Sequence, residues 1–589
     1  MRKLLILLCI TVIGAVPLHA QKDTVYVQGA IESGQEGTLN DAIEAAQADG
    51  SINNTVFKLT SYDYYVLTST IEIDVGETLE IVGPTPGTTQ ASAPPQIMWT
   101  SSGGIDTEYN ILTYGDITLK NVWLRYADVQ GNQIGSALRF ADDPDPDEQE
   151  RGVFEGVIFD YAPSTTNGSG SVSITADHFV GIFKNSYFRN NVDPHFRYYG
   201  RAVSFPYQSS GWHIDSVLFE NTTFANMGYV LMQEGAEWSD NVHFNHCTFL
   251  NIAMFSLESG WWHNMHVTNS IFVNPFMYGY IPAQVPEGAE PNGGVFSIAE
   301  VDSFGFEVDF TDPERQILYT HSSYIYEDWL LDWMENNPYS KEKYQNREED
   351  LIPMPQPMLN QATMDFMDST DADGNRVHPL MNRAFLYEDV NPRFIEPATN
   401  HDSLKAWLLK KWDTNEDTNW AYKPEAGYNQ TWPLPENMAY ENDTLLTAGM
   451  GEFPLGDLYH WFPDKYEEWK AQRSDEVDRI HTWMETGKDP TTGLSPQSDG
   501  TITAFTLEQN YPNPFNPTTS IKYSVPKTDH VVLAVYNSLG QEVVTLYEGR
   551  KAAGTYTATF DGTDLPSGVY FYRLQSDDVS FTKKLVLLK

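Results

Sequence analysis

Apolar and polar residues alternate through residues 212–274, and the alternation comes round three times in one register. Each copy holds a Phe (Phe224, Phe249, Phe272) two residues before an Asn (Asn226, Asn251, Asn274). Asn221, His246 or Asn269 sits three residues before that Phe, and Trp212, Trp238 or Trp262 opens the copy upstream. Successive Phe residues are 25 and 23 positions apart. That period is too short for a two-helix repeat and fits one coil of a solenoid. Period-2 alternation rich in β-branched and aromatic residues predicts strands. One such strand cannot bury its apolar face alone, so coils stack and share a core. Stacking puts Phe on Phe inside and Asn over Asn at the turns, where Asn tolerates unusual backbone angles and bonds nearby backbone groups. The predicted class is all-β, a parallel β-helix.

The same register recurs upstream at 185–190, around Phe188 and Asn190, with degraded copies at 156–161 and 121–126. Downstream, residues 321–326 predict a further coil. The longer steps, about thirty to fifty residues, read as a coil plus a loop leaving one corner, and such loops crowd one face, often the binding face. Residues 38–49 predict a short helix with Thr38 as N-cap and Leu39, Ile43 and Ala46 as its apolar face. Placed before the first strands (57–73, 78–83), it plugs the open end of the solenoid. The β-helix with this cap is assigned to residues 21–335. From 336 to 486 the coil pattern is lost in a Pro-, Asn- and Trp-rich segment with helices predicted over 402–412 and 464–486. It reads as an irregular cap over the C-terminal end and one flank. A linker occupies 487–504, and residues 505–589 form a further domain.

The run from the helix through about residue 335 resembles pectate-lyase-like right-handed β-helix proteins, in architecture more than in motif. GlyAspLeuTyrHisTrpPhePro at 456–463 is similar to a segment of secreted surface proteins, and no role comes with it. In the tail, strands are predicted at 531–537, 541–547, 554–560, 568–576 and 579–588, with turns at 537–540 and 565–568, as in a small immunoglobulin-like β-sandwich. With PheThrLeuGluGlnAsnTyrProAsnProPheAsnPro at 505–517, ProSerGlyValTyrPheTyr at 566–572 and LysLysLeuValLeuLeuLys at 583–589, the tail resembles the type IX secretion system sorting domain, type A. The resemblance implies the type IX machinery as partner and an export address usually removed at the outer membrane. It implies no activity.

Residues 1–20 read as a secretory signal: Arg2 and Lys3, an apolar run from Leu4 to Val16, and Ala20 at the cleavage site. The run is too short to span a membrane, and no transmembrane segment is predicted. Cleavage leaves Cys247 alone, read as a buried inert thiol. Lys and Arg number 36 against 81 Asp and Glu, a net charge of −45. Such a field repels nucleic acid and anionic membranes and attracts divalent cations. The expected location is extracellular or on the outer-membrane surface, reached through the periplasm.

The candidate chemistry is that of polysaccharides. Lyases of β-helix fold neutralise a uronate with Ca²⁺ or Arg and abstract a proton with a basic side chain, whereas hydrolases need paired carboxylates. The hydrolase signatures are absent and no complete lyase motif is present. The strongest cationic cluster is His195, Arg197 and Arg201, beside Tyr198 and Tyr199. As a lyase site it assigns His195 or Arg201 as base and Arg197 as carboxylate clamp; as a structural feature it pins a loop to the acidic solenoid. Trp212, Trp238, Trp261 and Trp262 are either a stacking platform for glycan or core aromatics. Asp371, Asp373 and Asn375 resemble half an EF-hand loop without its closing Glu, which reads as a Ca²⁺ site or a polar turn. His178, His213, His243 and His263 show no ligand spacing. Two functions follow from these residues: a secreted protein that binds or cleaves polysaccharide, or a non-catalytic surface or adhesion protein with the solenoid as a rigid rod.

Overall fold

The structure, a computed structural model, describes residues within 22–587. Outside the description lie 101–108, 131–137, 142–148, 162–169, 193–199, 206–212, 234–237, 255, 259, 280–293, 339–354, 414–419, 424–429 and 494–504, with short stretches of the tail (508–509, 511–512, 514, 516, 526–528, 538–540, 552–553, 564, 577–578, 588–589). The chain forms two compact units, 1–489 and 490–589.

The first unit is a parallel β-helix with three walls. Its 17-stranded sheet is two ladders that share their longest strands, and a separate 7-stranded sheet is the third wall. The first wall runs from Asp23–Tyr26 through Thr78–Val82, Arg151–Glu155 and the early halves of His213–Met227 and Trp238–Ile252 to Trp262–Thr268 and beyond. The second wall holds the later halves of the same long strands, with Ile158–Asp160 and Tyr187–Asn191 before them. Arg201–Phe205 and its neighbours make the third.

Asparagine turns the chain at two corners. Between the first and second walls, Asn121, Gly156, Asn185, Asn221, His246, Asn269 and His321 all have φ of 47–66°. Between the second and third, Tyr161, Asn190, Asn226, Asn251 and Asn274 have φ of 54–66°. This left-handed region is costly for most side chains, and Asn is among the least penalised. The amides also bond along the stack, Asn274 donating to Asn251 at 2.9 Å and Asn251 to Asn226 at 3.1 Å. One tight residue per corner lets every strand keep its inward and outward alternation from coil to coil.

Inside, two columns of Phe rings run parallel. Phe159, Phe188, Phe224, Phe249 and Phe272 stack at centroid spacings of 4.3, 5.2, 5.0 and 4.1 Å. Phe154, Phe183, Phe219 and Phe244 stack at 4.7, 4.8 and 4.8 Å. Cys247 lies in the same core, fully buried, and burial pushes its thiol well up. The helix Thr38–Ala48 closes one end with Leu39, Ile43 and Ala46 in this core, although Gly37, at φ 77°, rather than Thr38 is the N-cap residue. The ladder continues past residue 335: Met381–Glu388 pairs on Gln316–Ile325 as one more rung. The helix Gln361–Asp368 packs Met364, Phe366 and Met367 against the same core.

The segment after the last rung lies along the outside of the second wall. Leu404, Trp407, Trp420, Met438, Tyr440 and Leu455 pack on Tyr187, Ala225, Leu250, Ile271 and Val273. It also bonds to the corner asparagines: Asn226 donates to the Ala398 carbonyl, Asn190 accepts from the Tyr422 N–H and Asn269 from the Met450 N–H. The helix predicted over 464–486 is two, Pro463–Lys470 and Arg473–Thr486, separated at Gln472, whose backbone leaves the helical region.

The second unit consists of two antiparallel sheets around one apolar core. One holds Thr506–Leu507, Thr518–Val525 and Gly554–Asp561. The other holds Glu542–Lys551, Asp529–Asn537, Gly568–Gln575 and Ser580–Leu587. Among the described residues no helix is long and apolar enough to cross a membrane.

Candidate functional site

The sequence-derived candidates lie in several separate places. His195, Arg197, Tyr198, Tyr199 and Trp212 lie outside the described residues. Arg201 opens a strand of the third wall with its side chain buried, 1% exposed. Asp371 accepts the backbone N–H groups of Asp373 and Asn375, both at 2.9 Å, and the Asn375 amide at 3.1 Å. These bonds, those from Asn375 foremost, lower the Asp371 carboxyl and occupy it within its own turn. Among the described residues no group of three or more His, Cys, Asp or Glu is arranged to hold a metal.

The tryptophans divide. The register is unbroken and sets Ser239, not Trp238, opposite Trp262, so the two tryptophans stand one position apart. Side chains alternate along a strand, so that offset turns the two rings to opposite faces. Trp262 enters the core and stacks on Phe296 at 5.2 Å. Trp238 joins the half-buried Trp261 in an outer aromatic cluster with Phe304, Phe306 and Phe310. Trp261 meets the edge of Phe306 at 5.1 Å, and His263 stacks flat on Phe310 at 4.2 Å. Buried Arg315 pins this loop, donating to the carbonyls of Trp262, Ala299 and Gly260 and to the Asp312 carboxylate.

This cluster ends a polar line along the third corner, where the chain passes from the third wall back to the first. At the other end a cavity of about 150 Å³ lies between Glu77, Tyr114, Asp116, Gln149 and Glu150. Burial raises the Asp116 carboxyl, partly offset by the Arg151 N–H it accepts. Gln149 donates to Asp215, which also holds His178 Nδ1 at 3.0 Å. Asn241 donates to the Asp215 carbonyl, and Asn264 to Asn241. His263 and Asp240 lie 3.6 Å apart. His178 and His263 are 35% and 25% exposed, so solvent reaches the line. It crosses seven rungs, from Thr78–Val82 to Trp262–Thr268, which is roughly 30 Å at about 4.8 Å per rung.

Sequence reading missed Asp215, Asp240 and Arg315, and gave His178 and His263 no role. Their spacing in the chain follows loop lengths, and only the ladder brings them into one line.

A further buried ionic group lies on the outer face of the second wall. Asp160 is the register partner of Arg125 and Arg189, and Arg189 reaches Glu436 of the covering segment at 3.3 Å. Burial opposes the Arg189 charge, but Glu436 and Asp160 outweigh it. The group is neutral in sum and closed to solvent, and it joins the cap to the wall.

Residues 509–588 match the family of the secretion system C-terminal sorting domain. The tail is a type IX sorting domain. It directs the protein through the type IX secretion system to the cell surface or extracellular space. No curated protein matches the chain significantly.

Proposed function

We propose that this type IX-exported protein binds extracellular polysaccharide along the third corner of its solenoid and does not cleave it. In this reading residues 1–20 carry the chain into the periplasm, and the tail then takes it across the outer membrane. The observation that carries the proposal is the alignment, on one solvent-reached corner, of the Trp261–Phe306 ring pair with Asp240–His263, His178–Asp215 and the Tyr114–Glu150 cavity. Aromatic faces pack against the apolar faces of sugar rings, while carboxylates, amides and imidazoles hydrogen-bond hydroxyls. Carboxylates outnumber cations along the line, which favours an uncharged glycan over a uronate. The buried Arg201 side chain weighs against the lyase reading.

The rival reading, a rod without a ligand, draws on the continuous Phe columns and the helices packed at the ends of the core. Pull-down on neutral and acidic polysaccharides, with ultraviolet absorbance for unsaturated products, separates the three. Retention on a neutral glycan, lost in Trp261→Ala at unchanged melting temperature, supports binding. Unsaturated product restores the lyase reading, and no retention on any glycan leaves the rod.

A further inference from the structure

Histidines gather where the helix Arg473–Thr486 rests on the solenoid. His243 and His266 are register partners on adjacent rungs of the first wall, face outward, and lie 4.3 Å apart ring to ring. Leu318, the next register partner after His266, packs on Ile480, Trp483 and Met484 of the helix. His481, on the same helix, is close enough to His243 and His266 that its charge would disfavour theirs. His321, at the corner, lies on Phe385 at 4.6 Å and beside Trp483 at 6.5 Å. His243 Nε2 is buried and meets no hydrogen-bond partner among the described residues.

Charged groups face this seam from every side. Asp478 and Glu485 flank His481 on its own helix. Arg479, Asp489 and Glu476 face His321. Glu476 is held by Asn245, Trp469 and His246. Arg473 pairs with Glu220, and Arg479 with Asp489.

We propose that this seam is an acid-sensitive latch: the helix Arg473–Thr486 stays on the wall while His243, His266, His321 and His481 are neutral, and lifts from it in an acidic medium with the solenoid intact. The latch is independent of the glycan reading. Burial pushes His243 down to about 3 and His321 to about 4, and lowers His266 and His481 as well. Once the helix lifts, these rings return toward the ordinary histidine value of about 6.5. A folded-state pKa below the open-state value means that the docked helix has its full stability above about pH 6.5 and loses it as pH falls. Each ring that stays neutral while docked shifts the equilibrium toward the open form about tenfold per pH unit below that point. The interval from about pH 7 to about pH 5 spans the ordinary histidine value of about 6.5 and lies above the ordinary carboxylate range of about 4, so it isolates the histidines. The solenoid core resists because both Phe columns lie on the opposite side of the wall from His243 and His266.

Hydrogen exchange on the full chain, corrected for intrinsic rates, tests the latch. Protection of amides 474–486 should fall at least about hundredfold between about pH 7 and pH 5, with the inner strands at 217–226 and 242–251 still protected. His481→Gln should flatten that response, and His243→Gln combined with His266→Gln should flatten it further. Unchanged helix protection at pH 5 overturns the proposal. So does an equal pH response in the variants, or solenoid strands losing protection in step with the helix. Where the double variant does not fold, His481→Gln alone decides.

Discussion

Thr223, on the outside of the second wall, donates its hydroxyl to the Asp457 carboxylate at 2.7 Å, and that carboxylate is wholly buried. The same carboxylate caps the helix Leu458–Trp461 through the His460 N–H at 3.1 Å, while the Asp457 N–H donates to Thr248 at 2.9 Å. Gly456, at φ 85°, approaches so closely that a Cβ there would lie 2.5 Å from Thr248 Oγ1. The segment at 456–463 is thus a plug that docks the cap onto two adjacent coils.

Asp457→Ala should destabilise the cap by about 2–4 kcal/mol, because it removes a helix cap and leaves the Thr223 hydroxyl without its charged acceptor. Chemical denaturation followed by Trp fluorescence measures this. Rapid proteolysis within 440–489, with the solenoid strands resistant, is the expected companion result.

Phe249→Ala should cost about 3–5 kcal/mol, since it opens a cavity between Phe224 at 5.0 Å and Phe272 at 4.1 Å. Phe249→Leu should cost less, because it keeps more of the volume. A melting curve indistinguishable from wild type would contradict a continuous ring column.

Asn251→Ala should cost about 1–3 kcal/mol, because Asn251 bonds Asn226, Asn274 and Thr399 from a left-handed backbone. Asn251→Gly separates the two contributions. It relieves the backbone and still loses the bonds, so it should melt above the Ala variant and below wild type.

Arg315→Met should loosen the aromatic loop by about 3–5 kcal/mol locally, since it leaves three buried carbonyls and Asp312 without their donor. Glycan retention should fall with it while the core melts as before. Hydrogen exchange over 296–312 reports the loop and binding reports the site.

Removal of residues 490–589 should abolish export in a host with a type IX system and leave the solenoid folded, because the tail has its own core. The truncated chain appearing at the cell surface would contradict the sorting role.

The sequence by itself determined the coil. Phe224, Phe249 and Phe272 share one face and one period, and only stacking buries them all. Asn226, Asn251 and Asn274 marked the corner because a recurring Asn in a strand-rich run signals a left-handed turn. The tail was equally legible, since short motifs at its turns carried the family. Tertiary structure decided the rest. Trp238 and Trp262 each open a copy, yet the unbroken ladder sets Trp262 opposite Ser239, and that offset of one position sends one ring outward and the other into the core. The line from Glu150 through Asp215 to His263 exists only because each rung places one corner residue above the last, whatever the length of loop between them. The neutral histidines under the last helix follow from burial, and burial belongs to the assembled wall and helix rather than to any stretch of chain.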